Sequence, residues 1–537
     1  MSMVLLGSIV AVFLLINGVL VYMGYRRTRS AADYLLAGRE SHPIVMAISY
    51  GATFISTSAI IGFGGAAAVF GMGILWLTFL NILVGIFIAF AIFGKRTRKI
   101  GHNLDAHTFP EFIGKRFQSK FLQTASGLLI FVAMPLYTGA VIIGGAQFIF
   151  QTMGINYDVA LVSFIAIVAV YVVLGGLKGV LYTDAFQGAI MFIGMSLLLI
   201  FTYAKLGGVG QAHAALTAIK GEAISVFGAA GHQGWTSMPR FGSPFWMQLV
   251  TTIVLGVGIG VLAQPQLVVR FMTVKSNKEL NRAVLVGGIF IFFMTGVAFI
   301  VGALSNVYFH DVLPDTMGKI SFLAVDKQTD NIIPLFINKA MPSWFTAIFM
   351  VTLLSAAMST LSSQFHTMGA AIGRDVLQHG FNVKTKNPVL TIKIAMGFTI
   401  IISALLAYFL PKFFEQGSAI IALGTAIFFG LCAAAFLPMY FGALYSKKIT
   451  KAGAKACFIS GVVMSSFWLA FVHLKESKPL GLCKALFGVD SLASAAWLQN
   501  LDPIVVSLPI SAIATIVVSL LTRAPEEKHL QEVFEGV

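Results

Sequence analysis

Apolar residues in this chain come in long runs, not in the alternation of a half-buried strand or the sparse stripe of a surface helix. Thirteen such runs, each about 20 residues or longer, cover roughly 3–24, 42–71, 73–94, 121–150, 157–175, 180–202, 245–268, 282–307, 341–371, 388–410, 417–443, 453–473 and 502–522. Numbered as segments 0 to 12, each is long enough to cross a bilayer as a helix. The pattern predicts an all-α integral membrane protein with about 13 transmembrane helices. Composition agrees. The chain is 58% hydrophobic and 11% charged, against about 25% charged for soluble domains.

Two segments are interrupted. Segment 1 contains Gly51-Ala52-Thr53-Phe54-Ile55-Ser56-Thr57-Ser58 followed by Gly62, Gly64 and Gly65. Segment 6 contains Gly256, Gly258, Gly260 and Pro265. Glycine and proline weaken a membrane helix and free its carbonyls. Small residues also serve close helix packing, so one such run says little. Two runs offset by five segments predict two inverted five-helix repeats, with a binding site at the midplane. The expected organisation is segment 0 and a first loop (1–40), a first repeat (41–203), an outer loop (204–244), a second repeat (245–445), then segments 11–12 and a short tail (446–537).

Segment 8 carries a hydroxyl stripe. Ser355, Ser359, Ser362/Ser363 and His366 share one face of a helix, with Thr360 beside them. Such a stripe packs against a neighbouring helix or offers oxygens to a small ion. Titratable groups inside the apolar segments are scarce; Asp184 and His366 are the candidates. Proton coupling needs a titratable group in the membrane. Sodium, a hard cation, needs only neutral oxygens. Scarce acids and abundant hydroxyls favour sodium.

Charge placement gives an orientation. With the N-terminus outside, the cytoplasmic loops and C-terminal tail hold 26 of the 36 Lys and Arg, among them Arg26, Arg27, Arg29, Lys95, Arg96, Arg98, Lys99, Lys447, Lys448 and Lys451. This follows the positive-inside rule. It also accounts for the net charge of +15 without a nucleic-acid partner. The three cysteines have no metal or redox spacing. Segment 0 lacks a basic leader and is followed by Arg-Arg-Thr-Arg, which predicts a retained helix.

Together several motifs resemble the sodium/solute symporter family, which has the leucine-transporter fold. They are Tyr34-Leu35-Leu36-Ala37-Gly38-Arg39, the Ala52–Ile55 break, the run Gly175–Gly188, the run Ala263–Met272, and Ala356-Ala357-Met358-Ser359-Thr360-Leu361-Ser362-Ser363. The resemblance covers segments 0 to 12. It implies a main sodium site from the carbonyls of Ala52, Ile55 and Ala356 and the hydroxyls of Ser359 and Thr360. Some members resemble a two-sodium case, in which Asp184, Ser359, Ser362 and Ser363 match the second site. Asp184 also reads as an interfacial acid at a helix N-terminus, favoured by the dipole.

Within the family the chain looks most like the proline and pantothenate branch. Tyr137 matches an aromatic that contacts substrate in proline carriers. Val257 and Val261 stand where those carriers have Trp and Tyr, and Phe54 where they have Asp. These departures point away from proline. The implied solute is a small monocarboxylate such as pantothenate, or an amino acid. The implied pocket lies between Ser56, Thr57, Ser58, Tyr137, Val257 and Val261.

The expected protein is therefore a cell-membrane symporter that imports its solute with Na+ by alternating access. Its partners are the solute, sodium ions and the lipid bilayer. The alternatives are a proton-coupled transporter of the same fold and a transporter-like solute sensor; the tail after Arg523 is too short for an added sensor domain. A channel would want a filter-like repeat, and an enzyme a reactive constellation. The sequence contains neither.

Overall fold

The computed structural model describes residues 3–26, 31–39, 41–413 and 420–537; Arg27 and Arg29 of the first basic loop lie outside them. Helices make up most of the chain, and among the described residues the one β-bridge joins Ser41 to Val274. Among the described residues eleven helical stretches are long and apolar enough to cross a membrane. Pro43–Phe54 and Tyr157–Val170 are shorter apolar helices. The protein is thus an all-α, multi-pass membrane protein.

Segment 1 is shorter than expected because its helix breaks. Pro43 starts the helix at a position where its missing N–H is not needed. Phe54 ends it, and Ile55 is extended (φ −87°, ψ 97°). A wide helical turn at Ser58–Gly62 and the helix Phe63–Phe70 resume the path. Gly71 then turns the chain with φ +78°, and a Cβ there would lie 2.4 Å from the Trp235 carbonyl oxygen. No other residue type fits both constraints.

Segments 4 and 5 form the run Tyr157–Lys205, kinked at non-helical Gly176 (φ 56°, ψ 171°). Segment 6 breaks like segment 1. Its helical stretch Pro244–Ala263 ends at extended Gln264 (φ −73°, ψ 114°), and Pro265 opens the short helix Pro265–Phe271.

Segment 8, Ser343–Ala370 with its continuation to Gly380, is the centre of the bundle. It is buried over 94% of its most apolar window, whereas segment 0 is buried over 22%. It packs against segments 0, 1, 3, 5 and 9. Close approach depends on small residues. A Cβ on Gly302 would lie 2.1 Å from the Gly64 carbonyl, where segment 7 meets the second half of segment 1. Lipid cannot drive helices together by a hydrophobic effect, so such van der Waals seams carry the packing.

Candidate ion and solute site

The break in segment 1 faces the hydroxyls of segment 8. A helix that stops at Phe54 leaves its last carbonyls without intrahelical amides. The Ser359 hydroxyl donates to the Ala52 carbonyl at 2.8 Å and lies 3.2 Å from the Ala356 carbonyl. The Thr360 hydroxyl donates to the Thr53 carbonyl at 2.9 Å. Ala52, Ala356, Ser359 and Thr360 are fully buried, and Ile55 is 1% exposed. Ala52, Ala356, Ser359 and Thr360 of the expected set thus meet at the break where Ile55 lies, with the Thr53 carbonyl as an oxygen outside that set. A hard cation fits a cluster of neutral carbonyl and hydroxyl oxygens. For it to bind, the two hydroxyls must turn their lone pairs inward and release the carbonyls they now hold.

The second set is arranged differently. Asp184 is fully buried, and the Arg270 guanidinium donates from Nη2 to its Oδ2 at 3.0 Å. Nη2 also donates to Thr53 Oγ1 and Ser363 Oγ, both at 2.5 Å. Nε donates to Ser49 Oγ at 3.1 Å and Nη1 to the Gln266 carbonyl at 2.6 Å. Ser49 donates to the same carboxylate oxygen at 2.7 Å. Ser362 and Ser363 each donate to the Ser359 carbonyl at 3.1 Å. The guanidinium charge therefore already sits on Asp184 Oδ2 and Ser363, while Asp184 Oδ1 is buried with no hydrogen-bond partner.

Arg270 is the functional residue that the sequence reading missed. Counted as a cytoplasmic loop charge, it is 1% exposed, inside the bundle. The signal was there: an arginine three residues into a tight apolar run needs an acid partner, and Asp184 is the scarce acid. The pair ties together segments 1, 5, 6 and 8. His366, the other titratable candidate, packs at a tilt of 44° against Tyr34, with ring centroids 5.2 Å apart.

Beside the ion set lies a small cavity of about 20 Å³, lined by Ser56, Ser58, Tyr137 and Val257 of the expected pocket, with Phe54 and Phe429. Ile55 lines it too, so ion set and cavity share a wall. Asn81 Oδ1 and Ser58 Oγ are buried in that wall with no hydrogen-bond partner. Unpaired buried polar atoms are costly, and these two suit a polar solute. The wall holds no charged side chain. The space is near the minimum for one water, so the helices must part to admit a solute. Two expected pocket residues point elsewhere. Thr57 donates to the Val141 carbonyl at 2.7 Å, toward segment 3. Val261 packs against Gly85 of segment 2.

A third polar cluster lies in the loop between segments 2 and 3 and the end of segment 8. Glu111, 1% exposed, accepts from Arg374 Nε at 3.0 Å and Nη2 at 3.1 Å and pairs with Lys115 at 2.9 Å. Burial alone would raise its pKa, but His107, Arg374 and Lys115 hold it well below the usual carboxylate range.

A polytopic bundle with two broken helices, one of them opening onto buried oxygens of segment 8 beside a small cavity, has the architecture of a membrane transporter. Residues 34–461 match the model of the sodium:solute symporter family. The chain belongs to that family and is a sodium-coupled symporter of a small organic solute. It is 26% identical over 510 residues to the osmoregulated proline transporter OpuE of Bacillus subtilis (strain 168), covering 94% of this chain and 92% of that protein. It is 27% identical over 534 residues to the sodium/proline symporter of Staphylococcus aureus (strain JH9), covering 96% and 92%. In fold it is similar to a Na+-coupled sialic acid symporter in a substrate-bound, outward-open state (TM-score 0.71, 18% identity, 97% of this chain and 98% of that one). Mhp1, a nucleobase-cation-symport-1 family transporter in a closed conformation, is a second match (TM-score 0.52, 14% identity, 94% and 99%).

Proposed function

We propose that this symporter imports a small organic carboxylate or an amino acid with one sodium ion per cycle, by rocking its two five-helix repeats about the broken segments 1 and 6. The N-terminus faces outside and the C-terminus the cytoplasm. The ion is held by the carbonyls of Ala52, Ile55 and Ala356 and the hydroxyls of Ser359 and Thr360. The observation that carries this reading is the Ser359 hydroxyl set 2.8 Å from the Ala52 carbonyl at the break.

One sodium is favoured over two because Arg270 occupies the Asp184 and Ser363 group. The guanidinium supplies the positive charge that a second ion would bring. The solute sits against Ser56, Ser58, Tyr137 and Val257. With no cation in the cavity wall, the solute carboxylate is met by hydroxyls, backbone N–H groups at the breaks and the field of the adjacent sodium, while Asn81 Oδ1 accepts from an N–H or O–H of the solute. The related proteins named for proline support a compact carboxylate-bearing solute.

Coupling follows from the shared wall. Sodium orders the segment 1 break at Ile55, and the ordered break binds solute more tightly; by reciprocity the solute tightens sodium. Uptake of radiolabelled monocarboxylates and amino acids into proteoliposomes tests the reading. Accumulation should require an inward sodium gradient and rise with a sodium Hill coefficient near one. Uptake indifferent to sodium would refute it.

A further inference from the structure

A second hollow lies away from the central cavity and is much larger than it. An apolar groove of about 780 Å³ runs along the membrane face between segments 0 and 4. Gly18, Val21, Tyr22 and Tyr25 form one wall and Ile167 and Val170 the other. Its floor is Met358, buried on segment 8 next to Ser359 of the ion set. Val170, Tyr22 and Tyr25 are more than half exposed, so the groove is open toward the bilayer.

One end of the groove is cationic. The Arg26 guanidinium carbon lies 5.9 Å from the centroid of the Tyr22 ring, and Lys393 Nζ lies 5.9 Å from that of Tyr25. Both tyrosines line the groove. Beside them the backbones of Gly24 and Gly179 touch, one residue after Lys178. Among the described residues neither Arg26, Lys178 nor Lys393 has a carboxylate within ion-pair distance. Tyrosine and unpaired cations at the end of an apolar channel match the order of a phospholipid: acyl chain, interface, headgroup.

We infer that this groove binds an anionic membrane phospholipid, with one acyl chain against Met358 and the headgroup phosphate between Arg26 and Lys393. The lipid belongs to the leaflet where segment 0 ends, the cytoplasmic one in the orientation proposed above. Contact with Met358 places the chain against the helix that carries Ser359 and Thr360. Occupancy of the groove therefore bears on how freely segment 8 moves. The inference stands on the groove and its charges, so it survives if the sodium assignment fails.

The test uses the full-length protein, delipidated in detergent and titrated with phosphatidylglycerol or phosphatidylethanolamine, with bound lipid read by native mass spectrometry. Two interfacial cations at about fivefold each favour the anionic lipid by about 25-fold. Arg26→Gln/Lys393→Gln should erase that preference. Gly18→Phe should remove the bound lipid by filling the groove. A Cβ at Gly18 meets nothing within 4 Å, so this variant needs no backbone shift. Equal affinity for both headgroups in the unmodified protein would overturn the proposal. So would a preference for phosphatidylglycerol that persists in Gly18→Phe. A stable dimer that binds no lipid and dissociates on Gly18→Phe would assign the groove to a second copy and overturn it as well.

Discussion

Replacing Asp184 by Asn strands a buried guanidinium. Arg270 would keep Ser49, Thr53, Ser363 and the Gln266 carbonyl as neutral acceptors, but would lose its only anion among the described residues, 3.0 Å away. Removing one partner of a buried pair costs about 3–5 kcal/mol, because the remaining charge is uncompensated. The four remaining neutral acceptors put the cost near the lower bound, about 3 kcal/mol. Replacing both partners removes both desolvation costs. Asp184→Asn/Arg270→Gln should therefore be less destabilised than Asp184→Asn alone, with a coupling energy of about 2 kcal/mol. The assay is thermal melting in one detergent and lipid mixture, with and without sodium. The expected order of melting temperature is unmodified protein, double variant, Asp184→Asn. Additive losses would refute the idea that the two charges hold each other. Sodium activation gives an independent readout. If Asp184 serves Arg270 and not a second ion, variants at Asp184 that still transport should keep a Hill coefficient near one. A coefficient near two in the unmodified protein, falling in Asp184→Asn, would restore the two-ion reading.

Ser359→Ala and Thr360→Ala each remove one hydroxyl from the ion set while leaving its carbonyls, so the sodium concentration for half-maximal uptake should rise in both; unchanged sodium activation in both would remove the assignment. Val257→Trp overfills a cavity of about 20 Å³; solute uptake should fall or change selectivity, while a sodium-dependent thermal shift should persist. His232 lies in the loop after segment 5, its Nε2 at 3.0 Å from the Val69 carbonyl and its Nδ1 accepting from the Gly234 amide at 3.0 Å. Burial lowers its pKa to about 4, below the unfolded value of about 6.5. The stability tied to neutral His232 is therefore full above pH about 6.5 and lost as pH falls toward 4, up to about 3 kcal/mol. Melting temperatures across that window should drop for the unmodified protein and stay flatter for His232→Gln. Glu111, also depressed, adds a separate loss at lower pH, below its ordinary carboxylate value; Glu111→Gln should abolish that acid limb and lower stability at neutral pH.

The sequence by itself determined the class of the protein. Runs of about 20 apolar residues leave no other way to satisfy the backbone in lipid than helices. Glycine and proline at Gly51–Gly65 and Gly256–Pro265 marked where those helices stop. The 3.6-residue period put Ser355, Ser359, Ser362 and Ser363 on one face of segment 8; Ser359 and Ser363 reach segment 1, while Ser362 bonds within its own helix and Ser355 is buried with no hydrogen-bond partner. What the period does not fix is how one helix is rotated against its neighbours, nor the phase on the far side of a break. Beyond extended Ile55 the helical register restarts, so adjacent residues diverge: Ser56 and Ser58 line the cavity, while Thr57 between them bonds to Val141 of segment 3. On segment 6, Val257 faces the cavity and Val261, one turn on, faces Gly85 of segment 2. Arg270 is the plainest case. In sequence it reads as one more basic residue on the cytoplasmic side, because hydropathy carries no record of partners. Only the packing of segments 1, 5, 6 and 8 brings Asp184 to within 3.0 Å of it, and that long-range pairing decides which charge the centre of the transporter holds.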